Sequence, residues 1–152
     1  MMRFKTYCRQ QYLKHPISCA EGELSLKEMR EATEVILKHV QCCSFTEELE
    51  NMRKGRSIKI YSRIATLNPT LDDGIIRAKG RLHFKELNAA PIILPSKHHV
   101  TDLIIRFYHE IEGHMGKQQV LSETRKKFWI LRGLSAVKRV VGHCVSCKRR
   151  HG

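Results

Sequence analysis

The sequence predicts a mainly α-helical chain: a helical N-terminal extension, a short β connector, and a C-terminal bundle of three helices. Apolar residues recur at helical spacing in several segments, and the extended stretches between them are short. Gly and Pro interrupt these segments at intervals that suit helix ends and turns. With 152 residues, the chain has the length of one domain, or of one small domain with an extension.

The N-terminal half is predicted to consist of an irregular end and a helical extension. Residues 1–23 lack a clear period, whereas residues 24–95 read as helices followed by a linker. Ser25 and Glu28 have the spacing of a capping box, which predicts that a helix begins there and runs to about Gln41. A second short helix is predicted at about residues 46–54. The apolar residues that recur at helical spacing along the first helix are Leu26, Met29, Ala32, Ile36 and Val40.

The β connector is predicted from turn signals and bracketing prolines. Asp72-Asp73-Gly74 is a turn signal, and a small hairpin is predicted with arms at residues 75–77 and 80–82. Residues 91–95 begin and end with proline, which favours a short extended piece.

The last domain, residues 96–150, is predicted to contain three helices. The first begins after a Ser96 cap and runs to about Glu112, the second covers about residues 117–127, and the third covers residues 134–141. Trp129 is predicted to be buried against the first of these helices. The apolar stripe of that helix, with His109 on its far side, is Val100, Leu103, Ile104, Phe107 and Ile111.

Two close pairs of metal-binding residues bracket these helices. His109 and His114 are separated by four residues, and Cys144 and Cys147 follow after a further 29 residues as Cys-x2-Cys. Zinc prefers four tetrahedral nitrogen and sulfur ligands, so one structural zinc ion could join both ends of the bundle. Two alternatives remain open: the cysteines could be small buried thiols, or His143 or His151 could complete a local cluster with them.

At these residues the sequence resembles the HHCC zinc-binding domain of retroviral and LTR-retrotransposon integrases. The stretches that carry the resemblance are LIIRFYHEIEGHMGKQQVLSETRKKFWI and VKRVVGHCVSC. Upstream, the segments LNPTLDDGIIRAKGRL and PIILPSKHHVTDLII are similar to the region that precedes this domain in BEL/Pao-type retrotransposon polyproteins. The resemblance extends over roughly residues 24–150, and it implies that His109, His114, Cys144 and Cys147 hold one structural zinc ion.

The resemblance also implies a function without catalysis. Strand transfer in this family uses three acidic residues of an RNase H-like core that follows the HHCC domain, and we expect that core to begin beyond Gly152. A closed site of four protein ligands leaves no position for an activated water, so a zinc hydrolase is not expected either. The chain is therefore expected to be a polyprotein fragment that aids DNA binding and multimerisation in DNA integration.

The charge of the chain favours a polyanionic partner. There are 28 Lys and Arg against 15 Asp and Glu, and from Pro95 onward there are 12 against 4. We expect weak, non-specific contacts with DNA phosphates, although a solvated helix face remains the alternative for the basic run at residues 125–127. The candidate residues are Lys117, Arg125, Lys126, Lys127, Arg132, Lys138, Arg139, Lys148, Arg149 and Arg150.

The cellular location of the protein is predicted from two patterns that its sequence does not contain. There is no signal-peptide run and no stretch of about 18 apolar residues, so we expect an intracellular protein, nuclear or cytoplasmic, that does not bind membranes. Thiols are reduced in such compartments, which favours a metal pair over a disulfide for Cys144 and Cys147. The alternative function is a host-recruited, zinc-stabilised adaptor that binds proteins and not DNA.

Overall fold

The structure, a computed structural model, describes residues 25–79 and 90–151, and in these ranges it is mainly α-helical with a small sheet, as predicted. The chain divides into two compact units, Met1–Glu31 and Ala32–Gly152, which are described separately. The predictions for residues 1–23 and 80–82 lie outside the described residues, and the domain boundaries at residues 24 and 96 stay predictions.

The described residues form six α-helices and four strands. The helices are α1 (Leu26–Ser44), α2 (Thr46–Arg53), α3 (His99–Ile111), α4 (Lys117–Arg125), α5 (Gly133–Val141) and α6 (Val145–His151), with a 3-10 turn at Ala65–Leu67. The strands are β1 (Pro69–Asp72), β2 (Ile75–Ala78), β3 (Ile92–Leu94) and β4 (Phe128–Ile130). The three helices predicted for the C-terminal domain are present as α3, α4 and α5, and the short helix α6 follows them.

The first unit contains the beginning of α1, where the predicted capping box is present. Glu28 donates its backbone N–H to Ser25 Oγ at 3.2 Å, and Ser25 donates its own N–H to Glu28 Oε2 at 2.8 Å. These two bonds satisfy N–H groups that the first turn of a helix leaves without partners. Leu26 and Met29 of the apolar row are exposed here.

The second unit is built on a mixed sheet with the strand order β1-β2-β3-β4. β1 and β2 form an antiparallel hairpin whose two-residue turn is Asp73-Gly74, with φ of 46° and 78°. Positive φ at both positions is the geometry of the tight hairpin turns that Asp-Gly favours. The turn prediction was correct, and residues 75–78 form one arm as predicted. In the described part of the chain the partner of this arm is the strand before the turn, residues 69–72, whereas the predicted arm at residues 80–82 lies outside the described residues.

The parallel pairing of β3 with β4 joins the connector to the C-terminal helices. Ile92, Ile93 and Leu94 pair with Phe128, Trp129 and Ile130, and helices α3 and α4 form the connection between the two strands. A parallel pair needs such a long connection, because a tight turn cannot return the chain to the same end of the sheet. The extended piece predicted between the two prolines is therefore confirmed as strand β3.

Side chains alternate between two apolar cores, one on each face of the sheet. On the first face, Ile75, Ile92, Leu94, Phe128 and Ile130 pack with buried residues of α3, α4 and α5 and with Leu37 and Val40 of α1. On the second face, Ile76, Ala78 and Ile93 pack with Phe45, Leu49 and Ile64. Both faces are covered, which explains why β3 and β4 are continuously apolar.

Two packing predictions for the C-terminal segment were wrong. Helix α3 presents Thr101, Ile105 and His109 inward, while Leu103, Phe107 and Ile111 of the predicted stripe are exposed. Trp129 packs on the second face of the sheet and not against α3, because its neighbours in β4 occupy the first face. His98 caps α3 by accepting the N–H of Val100 at Nδ1, 3.1 Å away, so the helix begins three residues after the predicted Ser96 cap.

The side-chain amide of Gln41 connects α1 to two strands in the interior of the sheet. Gln41 is fully buried, at 0% exposure, and its Nε2 donates to the carbonyls of Ile76 and Ile93, each at 2.8 Å. Its Oε1 accepts the N–H of Ile76 at 2.7 Å. β2 and β3 pair at one position only, Arg77 opposite Ile92. The Gln41 amide therefore extends the hydrogen bonding between these two strands.

We predict that Gln41→Met destabilises the protein by roughly 3 kcal/mol or more, because three buried backbone groups lose partners that are each worth about 1 to 3 kcal/mol. The measurement is urea unfolding followed by circular dichroism at a fixed zinc concentration. Gln119→Met is the matched control: Gln119 is exposed, so this change should cost less than about 0.5 kcal/mol. Equal stability of the two variants would contradict the role of Gln41.

Candidate metal centre

Four side chains from two distant segments converge at the end of α3. Their donor atoms are His109 Nε2, His114 Nδ1 and the sulfur atoms of Cys144 and Cys147, and all lie within 4.8 Å of one another. His109 Nε2 is 3.1 Å from Cys147 Sγ and 3.1 Å from His114 Nδ1. His114 Nδ1 is 3.4 Å from Cys144 Sγ and 3.8 Å from Cys147 Sγ.

These separations are close to the edges of a tetrahedron around one zinc ion: two of the four lie within the expected range, and the two that involve His109 Nε2 are slightly shorter. With metal–nitrogen bonds near 2.0 Å and metal–sulfur bonds near 2.3 Å, neighbouring donors should lie about 3.3 to 3.8 Å apart. The four residues are therefore positioned to bind one metal ion, and two imidazoles with two thiolates are a donor set that suits zinc. Because all four positions are filled by protein atoms, the geometry is that of a structural site.

A sharp bend after α3 places the two histidines together. The helix ends at Ile111, and the next two positions with positive φ are Gly113 and His114, both at 62°. The backbone N–H of His114 donates to the carbonyl of His109 at 2.8 Å, so the bend folds the second ring back toward the first. The two rings lie edge to face, with their centroids 4.7 Å apart.

The cysteines are positioned by the turn between α5 and α6. Cys144 donates its N–H to the carbonyl of Val141 at 3.0 Å, and α6 begins at the next residue. The backbone N–H of Cys147 donates to the sulfur of Cys144, and this is the main reason that the pKa of the Cys144 thiol lies below its usual range. A lowered thiol pKa favours the thiolate, which is the form that binds metal.

His109 is buried, with 2% of its surface exposed, although the sequence placed it away from the core. Burial lowers the pKa of His109, and the neighbouring His114 adds to this effect, while the Met115 backbone acts in the opposite direction. The Nδ1 atom of His109 makes no hydrogen bond of good geometry, so the contact with Met115 is weak. A neutral ring is favoured, and its Nε2 points at the other donors, which is the form that binds zinc.

His143 is separate from this cluster in the described part of the chain. Its Nδ1 lies 2.7 Å from the backbone carbonyl of Arg139, one turn earlier, and the ring is exposed. The metal-binding group found among the described side chains has His109 and His114 as its histidines. The side chain of His151, the other alternative ligand, lies outside the described residues.

The basic candidates differ in how free they are to contact DNA. Arg139 forms a two-point ion pair with Asp102, at 2.6 and 2.7 Å, and also donates to the carbonyl of Ser96 at 2.9 Å. Lys126 pairs with Glu123 at 2.6 Å, and Arg125 lies over the Trp129 ring at 5.4 Å. The side chain of Arg150 lies outside the described residues. The exposed candidates for which the described residues contain no ion pair are Lys117, Lys127, Arg132, Lys138, Lys148 and Arg149.

The Asp102–Arg139 pair is a structural contact that sequence reasoning missed. It joins the first turn of α3 to the last turn of α5, and these helices carry or precede the two halves of the metal cluster. The pKa of Asp102 is held below its usual range, first by the hydrogen bond from Arg139. The two residues are 37 positions apart, so neither helical spacing nor a local motif could have indicated the pairing.

Residues 96–152 match the protein family described as the integrase zinc binding domain. The match covers just over a third of the chain and contains all four residues of the metal cluster. Neither the curated proteins nor the solved structures include a match to this chain. In the ranges 25–79 and 90–151, no helix is both long enough and apolar enough to cross a membrane.

We predict about one zinc per chain in the purified protein, and near zero after Cys147→Ser or His114→Ala, because a structural site requires all four ligands. Elemental analysis gives the zinc content, and circular dichroism before and after a chelator gives the helicity. His143→Ala is the control and should retain the metal. Zinc retained in both ligand variants, or full helicity without metal, would refute this structural site.

A double-mutant cycle with Asp102→Asn and Arg139→Gln should give a coupling energy of about 1 kcal/mol in unfolding free energy. This value reflects two-point geometry discounted for partial exposure of both side chains. The matched control is the cycle for Glu123 and Lys126, a single contact within one helical turn that should give a smaller coupling energy. A coupling near zero for the first pair would mean that it does not stabilise the junction of α3 and α5.

Proposed function

We propose that residues 96–152, which match the integrase zinc binding domain, act as a non-catalytic, zinc-stabilised module for DNA binding and assembly in DNA integration. The observation that carries this proposal is the convergence of His109, His114, Cys144 and Cys147 within the matched segment. The finer lineage that we propose is the BEL/Pao group of retrotransposons, on the basis of the resemblance upstream of residue 96.

Unpaired positive charge supports the DNA-binding part of the proposal. Lys127, Lys138 and Lys148 are exposed, and the described residues contain no carboxylate within ion-pair distance of them. Phosphate contacts need such cations, because a lysine already neutralised by a carboxylate releases few counterions from DNA. Arg139 is less suited to this role, since its guanidinium already binds Asp102 and Ser96.

An exposed apolar row on α3 supports the assembly part of the proposal. Leu103, Phe107 and Ile111 are four residues apart, lie on one side of the helix, and are exposed. An exposed apolar row of this kind is typical of surfaces that contact another protein chain. The same row favours the alternative function, a zinc-stabilised adaptor that binds a protein partner without DNA.

We predict that the full chain binds duplex DNA weakly and that log Kd rises steeply with log salt, by about 0.9 for each phosphate contacted. Reversing the charge at Lys127, Lys138 and Lys148 should flatten that slope by roughly two to three units. Fluorescence anisotropy with a labelled duplex at several salt concentrations measures both effects.

The charge reversal Lys27→Glu serves as a control for net charge, because Lys27 is exposed and lies in the first unit. It should leave the salt slope nearly unchanged. A wild-type slope near zero would argue against DNA binding and for the adaptor. An equal effect of the control would show that overall charge, and not this segment, determines the slope.

A further inference from the structure

A loop outside the matched segment presents apolar side chains at its tip. We call residues 54–63 the tip loop; it follows α2 and leads toward the hairpin of the sheet. Ile60 is 94% exposed and Tyr61 is 78% exposed, the highest values among the large apolar residues that the structure describes. Burial in this protein's own core cannot account for them.

The backbone fixes these two side chains at the centre of a turn. Ser62 donates its N–H to the carbonyl of Lys59 at 2.9 Å, so Ile60 and Tyr61 occupy the two central positions. Turn centres usually carry Gly, Pro, Asn, Asp or Ser, because these residues adopt the backbone angles of a turn or hydrogen-bond to its backbone, so Ile and Tyr are unusual there. Ile64 is fully buried directly after the turn, so the tip projects from an anchored base.

The tip loop is also basic along its whole length. Residues 51–71 contain five basic and no acidic residues. Lys59 pairs with Glu47 and Lys54 lies 3.9 Å from Glu50, but the ion pairs of the described residues include none to Arg53, Arg56 or Arg63. Gly55, with φ of 66°, ends α2, and Arg56 donates its N–H back to the carbonyl of Asn51 at 2.8 Å. This helix end fixes the position of Arg56 beside the turn.

A cavity of about 550 Å³ lies beside the tip loop, between it and the edge strand β1. Its polar lining includes Arg56, Ser57, Asn68 and Thr70, and no acidic residue borders it. A cation, hydroxyl groups and an amide can hydrogen-bond both phosphates and base edges. The cavity therefore supplies polar contacts, among them the unpaired Arg56, on the side of the tip loop that faces β1.

We propose that the tip loop binds single-stranded nucleic acid, with an unstacked base on the Tyr61 ring and phosphates on Arg56 and Arg63. Lys59 lies over the Tyr61 ring at 5.6 Å, which holds the ring in place and occupies one of its faces. Bases of a duplex are already stacked on each other, whereas a single strand offers free base faces for an aromatic side chain. The proposal does not depend on DNA binding by the zinc segment.

Two carboxylates that border the same cavity as Tyr61 and Arg63 favour a strand over an anionic membrane. Glu47 and Glu48 border a smaller cavity together with Tyr61 and Arg63. Glu47 is neutralised by Lys59, and Glu48 accepts a hydrogen bond from Ser62 Oγ at 2.6 Å. A flat anionic surface would meet both carboxylates on insertion of the tip, whereas a strand can contact Tyr61 and Arg63 individually, because Glu47 and Glu48 already have partners.

The test measures binding of the zinc-loaded full chain to labelled oligothymidylate and oligouridylate by fluorescence anisotropy. Tyr61→Ala should weaken binding by about tenfold, since one stacked base contributes about 1 to 3 kcal/mol, whereas Tyr61→Phe should retain it. Phe107→Ala, which removes an exposed aromatic ring from α3, is the matched control and should change the affinity by less than about twofold. The two oligonucleotides distinguish DNA from RNA as the preferred strand.

Photo-crosslinking with 4-thiothymidine or 4-thiouridine gives a second readout. Trypsin releases residues 60–63 as one peptide, so a crosslink to Tyr61 can be located on that peptide. Crosslinks on this peptide, together with the loss in Tyr61→Ala, would support the proposal. It would be overturned if Tyr61→Ala bound like the wild type, or if the chain bound anionic vesicles through Tyr61 and no oligonucleotide. Reversing Lys127, Lys138 and Lys148 should leave the Tyr61 effect in place, which separates this proposal from that for the zinc segment.

Discussion

The parallel pairing of β3 with β4 is the contact on which the second unit depends. Helices α3, α4 and α5 pack against an apolar surface formed by Ile92 and Leu94 of β3 and by Phe128 and Ile130 of β4. The family match begins at residue 96, but this apolar surface includes β3, which precedes the match. The same core also includes Leu37 and Val40 of α1. The zinc-binding segment therefore shares its core with residues upstream of the match.

This shared core changes the energetic role of the metal. A segment of about 50 residues in short helices buries too little apolar surface to be secure alone, and such small folds usually need a metal or a disulfide. Here the sheet buries the inner sides of the helices, so zinc is not the only source of stability. Its specific contribution is to hold the bend after α3 against the turn before α6, because the backbone hydrogen bonds at each of these places are local to that segment.

The same sheet separates two surfaces of the second unit. The helices that carry the metal cluster cover the first face, while the tip loop is anchored through Ile58 and Ile64 on the second. Both surfaces are basic, but they differ in kind: lysines on helices and turns offer phosphate contacts, whereas the tip loop adds an aromatic ring and a polar cavity.

The sequence by itself determined the features that depend on neighbouring residues. The capping box at Ser25, the Asp73-Gly74 turn, the strand between Pro91 and Pro95, and the spacing of the two His and two Cys are all local patterns. Only the tertiary structure decided which side of each element is buried. The inward side of α3, the packing of Trp129 and the insertion of Gln41 between strands depend on residues far away in the chain, as in the 52 positions from Gln41 to Ile93. Periodicity shows that a helix has an apolar row, but the partner that packs against it determines whether that row is covered.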